Sequence, residues 1–441
     1  MTTRDERGRG QGHAPIFSNP DPLSLNPPPL APLQVVDGNG ETARKLATTP
    51  LSTAAVTALA GGAPPPPDTA CVSAALLAPL APGRTSVLAT SAVFTRSLAP
   101  LPAARGQADP HRVAFNASHV LLSPYPVANQ TLVVDLPCKS AGVLAATPRE
   151  PMADDGDGVL TYGPFDAAPE GAWSVSPLFL HFTDDNPTPR AVALDREVTI
   201  SHWGVVSIDE SFDLLNAGAA LTGQWSRYDF DTAPPRAPGR GASLTSLAAT
   251  LPKAARWIYF RDGIGNISSS AVRPARSRLE VRLEPRFPLA PGWRTTFKFG
   301  YSLPLASVAG REGGRVRVTV PLGTPVQGVA ADALTTTVIL PEGASAIAVD
   351  TPFGGEVVTI THGVRATTLD TIGRPTVSAS VRNAVAEHMA APLVVSYAFS
   401  PARPFVEPFM LVAAFGAVFG VALLARRTDL SLGGGEKVKA A

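Results

Sequence analysis

Cysteine is scarce in this chain of 441 residues, which holds only Cys71 and Cys138. Two cysteines that far apart do not supply the ligand spacing of a zinc site. On the oxidising side of a membrane they could form one disulfide; otherwise they stand as two separate structural thiols. Neither sign of charge is in excess, with 37 Lys and Arg against 36 Asp and Glu. A phosphate-backbone partner needs a basic surface, so no nucleic acid is expected. Aromatic residues make up only 7%. Catalytic signatures are lacking too. The seven histidines (13, 111, 119, 181, 202, 362 and 388) form no H-E-x-x-H and no close pair. There is no G-x-S-x-G elbow, phosphate loop or dinucleotide fingerprint. No catalytic residue, cofactor or metal is therefore expected.

Two acidic runs could be mistaken for sites. Asp155-Gly156-Asp157 has the D-x-D form of metal-dependent glycosyltransferases, but it sits in an ADDGDG run that reads as a solvated turn. It is no calcium loop, because Leu160 stands where the invariant glycine belongs. Asp184-Asp185-Asn186-Pro187 reads as a turn as well. His202 and Trp203 are expected to alternate along a strand, with His202 a packed imidazole rather than a ligand.

What the chain has in quantity is proline (45), glycine (38) and hydrophobic residues (45%), a mixture that suits many short strands joined by turns. Leu279, Val281 and Leu283 alternate with Arg278, Glu280, Arg282 and Glu284, the pattern of a half-buried strand. Phe297, Phe299 and Tyr301 repeat it, as do Val316, Val318 and Val320. Further strand-like runs are 131–136, 197–206, 335–340, 356–360, 376–381 and 393–399. Gly313-Gly314, Gly354-Gly355 and Gly373-Arg374-Pro375 punctuate them. The expected fold is mainly β, with tandem antiparallel β-sandwich-like domains followed by one C-terminal transmembrane helix. Residues 1–45, rich in proline, glycine and charge, are expected to be disordered. A first β-rich domain is expected over 46–195 and a second over 196–403.

Residues 409–425 carry no charge and no polar stripe, and arginines follow at 426 and 427. Seventeen residues at about 1.5 Å each reach ~25 Å, enough for a thin bilayer such as that of the endoplasmic reticulum. Gly416 and Gly420 form a GxxxG at which a second helix could approach closely, although short apolar helices also collect such pairs by chance. Arg426, Arg427, Lys437 and Lys439 follow the span, so the tail from 426 to 441 is expected in the cytosol and the large body in the lumen. The sequons at Asn116, Asn129 and Asn266 lean the same way; Asn186 is excluded by its proline. The first 29 residues contain no apolar signal region. Taken literally, that would make the span a tail anchor, but a charged tail would then have to cross the membrane, so the expectation is instead that the natural first exon is missing. Lys437-Val438-Lys439-Ala440-Ala441 has the K-x-K-x-x form of a retrieval signal on a cytosolic tail.

A series of runs, in order and spacing, resembles ribophorin I. They are Ser123-Pro-Tyr-Pro126, Tyr162-Gly-Pro-Phe165, Arg196-Glu-Val-Thr-Ile-Ser-His-Trp-Gly204 and Trp225-Ser-Arg-Tyr-Asp-Phe230. Tyr259-Phe-Arg-Asp-Gly-Ile-Gly-Asn-Ile-Ser268 and Pro285-Arg-Phe-Pro-Leu-Ala-Pro-Gly-Trp293 follow. Ile339-Leu-Pro-Glu-Gly-Ala344, Leu369-Asp-Thr-Ile-Gly-Arg-Pro375 and Glu407-Pro-Phe409 complete the series. The likeness covers about 110–430.

The resemblance implies a non-catalytic, single-pass type I subunit of the endoplasmic-reticulum oligosaccharyltransferase, the complex that moves a preassembled glycan from dolichyl diphosphate to Asn in Asn-X-Ser/Thr. Implied partners are its other subunits, including the catalytic and the small membrane subunits, and the nascent polypeptide. Catalysis belongs to a many-spanning subunit with a WWD-type signature, whereas Trp173, Trp203, Trp225, Trp257 and Trp293 stand apart here. Asn266 matches a sequon in the family's motif and is expected to carry a glycan. The alternatives are a β-sandwich cargo or adhesion receptor of the secretory pathway and, less in keeping with the residues, a lumenal hydrolase or glycosyltransferase.

Overall fold

The computed structural model describes residues 85–427 apart from 121–126, 140–141, 150–152, 167–175, 235–236, 355–356, 367–372 and 401–404, with a few short stretches before residue 85. One of those stretches lies within residues 1–45. Gln34–Asp37, with the β-branched pair Val35-Val36, forms a strand antiparallel to Leu88–Ser91 and to Arg44–Lys45.

The first unit contains the strands Leu98–Pro100 (β1), Ala104–Arg105 (β2), Arg112–Ser118 (β3) and Asn129–Asp135 (β4). Val143–Thr147 (β5), Ala153–Asp154 (β6), Val159–Asp166 (β7) and Pro177–Thr183 (β8) complete it. One sheet runs β5-β8-β3-β1 and the other β6-β7-β4. Alternate residues of β8 (Leu178, Leu180 and Phe182) point inward to meet Val113, Leu160 and Tyr162 in a small core.

The second unit begins with Pro189–Ser201 (β9), Val205–Asn216 (β10), Ala220–Leu221 (β11) and the short helix Arg227–Thr232 (α1). Leu247–Pro252 (β12), Arg256–Asp262 (β13), Ala271–Pro274 (β14), Arg278–Leu283 (β15) and Arg294–Pro304 (β16) follow. Then come Ala309–Glu312 (β17), Arg315–Pro321 (β18), Ala330–Ile339 (β19), Ala344–Asp350 (β20) and Thr359–Arg365 (β21). The unit closes with Arg374–Ala384 (β22), the helix Ala386–Ala390 (α2) and Pro392–Phe399 (β23). A seven-stranded sheet, β13-β16-β10-β9-β19-β22-β21, is lined by a three-stranded sheet, β12-β15-β14, and a four-stranded one, β17-β18-β23-β20. All three contribute to a single core that includes Val198, Phe212, Leu283, Phe299, Val318, Leu334 and Tyr397. The inward residues expected on β15, β16 and β18 take part in it; each fully buried one contributes on the order of 1.5–3 kcal/mol.

Two features differ from the sequence reading. The centre of the large sheet is parallel, because β9 pairs with β19 in register from Arg190–Ala330 to Thr199–Ile339. The run 197–206 is not one strand: the chain turns at 202–204, so His202 and Trp203 lie in the β9–β10 turn. Strand β9 also runs through residues 195 and 196; the smaller core takes its last residue, Phe182, from β8, and the larger core its first, Ala191, from β9.

The joint between the units is polar and buried. His111 Nδ1 lies 2.7 Å from the Asp184 carbonyl, and its Nε2 accepts from the Ala219 amide at 3.0 Å. The Asp185 carboxylate accepts from the His111 amide at 2.9 Å and from the Gly239 amide at 3.2 Å. The Asp184–Pro187 turn is thus also a clasp, which its composition alone did not reveal.

Deep in the second unit, Arg196 on β9 donates to Glu210 on β10 at 2.9 Å with both side chains fully buried. Thr324 Oγ1 donates to the other Glu210 oxygen at 2.6 Å, and Arg196 also reaches the Gly323 carbonyl. Burial pushes the Glu210 carboxyl up to about 7, against the opposing pull of Arg196 and Thr324.

The chain ends its described part in the helix Val406–Arg427 (α3), whose apolar stretch Pro408–Arg427 is 20 residues long and has no part buried against the body. At about 1.5 Å per residue that is ~30 Å, longer than the 17 uncharged residues suggest, because helical geometry carries on through the flanking residues.

Candidate functional site

Strand β13 runs out at Asp262, and the chain reverses through Gly263-Ile264-Gly265 to Asn266, whose neighbour Ile267 donates back to the Phe260 carbonyl at 2.9 Å. Asp262 holds the turn together. Its Oδ1 accepts from the amides of Ile264 at 2.9 Å and Gly265 at 3.0 Å, the Asx arrangement that favours aspartate at this position. Gly265 has φ +147°, a conformation that side chains rarely adopt. From the segment after β15, Arg286 grips the same carboxylate with two bonds, Nε at 2.8 Å and Nη2 at 2.9 Å. Arg286 above all, then the two turn amides, hold the Asp262 carboxyl well below the usual carboxylate range. The outcome is a short, braced hairpin that presents Asn266 and Ser268 exposed, beside an Ile264 that is 79% exposed. The loop composition hints at the turn; nothing in the sequence pointed to Arg286 as its clamp.

The other two sequons are placed differently. Asn129 opens β4 and is exposed, as is Thr131. Asn116 sits mid-strand on β3 opposite Phe179, half-buried, between Phe115 and Ala117, which pack on the core. Its partner hydroxyl is occupied, since Ser118 Oγ donates to the Val120 carbonyl and accepts from the Ser176 amide.

In α3, Gly416 and Gly420 share a face four residues apart, and beyond the helix's own backbone nothing lies within 4 Å of where a Cβ would stand on either. That leaves both open to a partner backbone. Lys437 and Lys439 lie outside the described residues, as does Cys71. Cys138 is half-buried, and burial pushes its thiol up, away from the reactive thiolate.

The acidic run behaves as a turn: Asp154 Oδ1 accepts from the Gly156 amide, Asp155 Oδ1 from the Asp157 and Val159 amides, and Lys139 lies 3.3 Å from Asp157. Among the described residues no three His, Cys, Asp or Glu side chains are placed to hold a metal. His202 is a packed imidazole: it stacks on Phe399 with centroids 3.6 Å apart, and its Nε2 lies 3.2 Å from the Tyr397 hydroxyl. Burial, with Arg311 nearby, lowers its pKa.

These features describe a strand-rich body with a presented sequon and a naked apolar helix, and the comparison with known families gives them a common context. The profile of the family described as Ribophorin I matches residues 42–426, from the body into the helix. The chain belongs to the ribophorin I family. A ribophorin I relative from Arabidopsis thaliana, named dolichyl-diphosphooligosaccharide–protein glycosyltransferase subunit 1A, is 36% identical over 368 residues, which is 83% of this chain and 58% of that protein. Subunit 1B of the same plant is 35% identical over 368 residues, 83% of this chain and 77% of that protein. Subunit 1 of Caenorhabditis elegans is 30% identical over 366 residues, 83% of this chain and 61% of that protein. This ribophorin I chain therefore spans less than two thirds of the length of two of these relatives. Likeness to solved structures is slight: an M1 zinc metallopeptidase from Deinococcus radiodurans aligns at TM-score 0.29 and 15% identity over 47% of this chain and 42% of that one, too little to bear on chemistry.

Proposed function

We propose that this chain is a non-catalytic subunit of the endoplasmic-reticulum oligosaccharyltransferase, supporting transfer of a preassembled glycan from dolichyl diphosphate to Asn in Asn-X-Ser/Thr of nascent proteins. The observation that carries the reading is the continuous family match through both β units and into the apolar helix, with relatives named as subunit 1 of that glycosyltransferase. The role fits the inventory of residues: one candidate span among the described residues, scattered tryptophans and no catalytic signature.

In this reading α3 crosses the bilayer with Arg426 and Arg427 on the cytosolic side, and Lys437 and Lys439 keep the protein in the endoplasmic reticulum. The body stands in the lumen, where the Asn266 hairpin receives a glycan of its own. Gly416 and Gly420 pack against a helix of a neighbouring subunit, and the two β units scaffold acceptor polypeptide or the catalytic subunit near the membrane. The test is to capture the tagged chain from detergent extract and assay the eluate for glycan transfer to a sequon peptide, with glycosidase-sensitive mass on Asn266 measured alongside. Co-purifying transfer activity is expected. An eluate without it, from a chain that captures cleanly, counts against membership of the complex.

A further inference from the structure

One end of the second unit carries exposed apolar side chains where a soluble body would not. Trp203, in the β9–β10 turn, is 90% exposed, and Trp257, on the edge strand β13, is 81% exposed. Val205, on β10, and Val364, on the opposite edge strand β21, are exposed as well, at 42% and 68%. The register of the seven-stranded sheet puts all four at the same end. Val205 faces both Ser201 and Pro304, and Arg256, next to Trp257, faces Ser302. Across the parallel centre, Thr199 faces Ile339, Ile339 faces Thr376, and Val364 faces Pro375. Scattered apolar residues on a surface need no explanation, but a rim of them with two nearly bare indoles does.

That rim is also where the chain leaves for the membrane. Strand β23 ends at Phe399, and Phe399 lies flat against His202, the residue before Trp203. Six residues separate Phe399 from the start of α3 at Val406. Even fully extended, that linker reaches only about 25 Å, so the rim cannot stand far from the bilayer. Tryptophan is the side chain most suited to the boundary between headgroups and acyl chains, with an apolar ring and one N–H to keep wet. Cations lie near the rings: Arg256 is exposed next to Trp257 in sequence, Lys253 is exposed in the turn that leads into β13, and Arg311 lies close to His202. Two carboxylates of this unit are engaged by arginines, Glu197 with Arg365 and Glu312 with Arg317.

We infer that this end of the second unit docks on the lipid surface, with Trp203 and Trp257 seated in the headgroup layer and the flanking cations among the phosphates. The body is then held upright by two contacts, the α3 span and the tryptophan rim, rather than swinging on the linker. The inference rests on reading α3 as the membrane span.

The full chain and its W203F/W257F variant would be reconstituted into phosphatidylcholine nanodiscs containing some phosphatidylinositol and headgroup spin-labelled phosphatidylcholine. Both rings are too exposed for the fold to depend on them, and Trp225 and Trp293, which pack against each other at 5.7 Å, remain as internal controls. The expected result is strong quenching of tryptophan emission by the headgroup label in the parent, almost all of it lost in W203F/W257F. Equal quenching of the two chains, or none in either, overturns the inference. So would tryptophans shielded from aqueous iodide only when the chain is assembled with other subunits, which would make the rim a protein-binding surface. Flotation after alkaline wash reports the span separately. A chain that floats without rim quenching loses only the docking, and one that does not float loses both.

Discussion

Arg196 and Glu210 make a costly arrangement, two opposite charges fully out of water in the company of Thr324, the Gly323 carbonyl and the Tyr301 hydroxyl. Breaking such a pair from one side is worse than removing it. R196M is expected to cost ~3–5 kcal/mol near pH 8, with less lost near pH 5, where the carboxyl can remain protonated; replacing Arg196, Glu210 and Thr324 together by apolar residues should recover most of it, read by denaturant titration of the variants. The raised carboxyl sets a sign as well. Its folded value of about 7 lies above the ordinary 4.5, so the folded protein holds more protons between those values and this group's contribution declines as pH rises through that window. E210Q should flatten that part of the stability-versus-pH curve. Asp262 works the opposite way. Its depressed pKa means that its support for the hairpin is fully present above the usual carboxylate range and fades as acid protonates the folded form. Hydrogen exchange at the Ile264 and Gly265 amides should quicken in D262A at neutral pH, and in the parent only under strong acid.

At the scale of elements, helix α3 presents an open glycine face. G416L/G420L should still insert, since leucine is more apolar than glycine, yet co-purification with other membrane subunits should fall several-fold in quantitative mass spectrometry of the captured complex. The three sequons should differ in occupancy by the same measurement: Asn266 and Asn129, both exposed at turns or strand ends, carry glycan, and the half-buried mid-strand Asn116 carries little. Much of this level was legible in the sequence. The alternation in β15, β16 and β18 named the inward residues correctly, because period-2 patterning survives wherever one face is wet. The naked helix was legible from the absence of charge alone. What stayed hidden was long-range. No local pattern tells that β9 lies parallel to β19, that Arg286 grips Asp262, or that the Asp184–Pro187 turn clasps His111, since each depends on residues tens to hundreds of positions away. The His202-Trp203 turn was misread for the opposite reason, because its strand-like residues on either side mask a reversal that only Gly204 announces.

At the scale of the molecule, the proposed topology puts everything before α3 on one side of the bilayer. In intact microsomes the body should resist added protease, with cleavage confined to residues after Arg427; digestion of the β units without detergent would reverse the orientation and with it the proposed role.

The parallel pairing at the centre of the large sheet has a consequence for how the chain is made. Strand β9 finds its neighbour on one side, β10, as soon as the hairpin is complete, but its other neighbour is β19, and Arg190 must wait for Ala330. While the intervening polypeptide is still being synthesised, β9 exposes a long unpaired edge of the kind that recruits stray strands. Folding of this unit is therefore held open by translation itself, and a chain stopped near residue 325 should bind chaperones and aggregate rather than persist as a stable half.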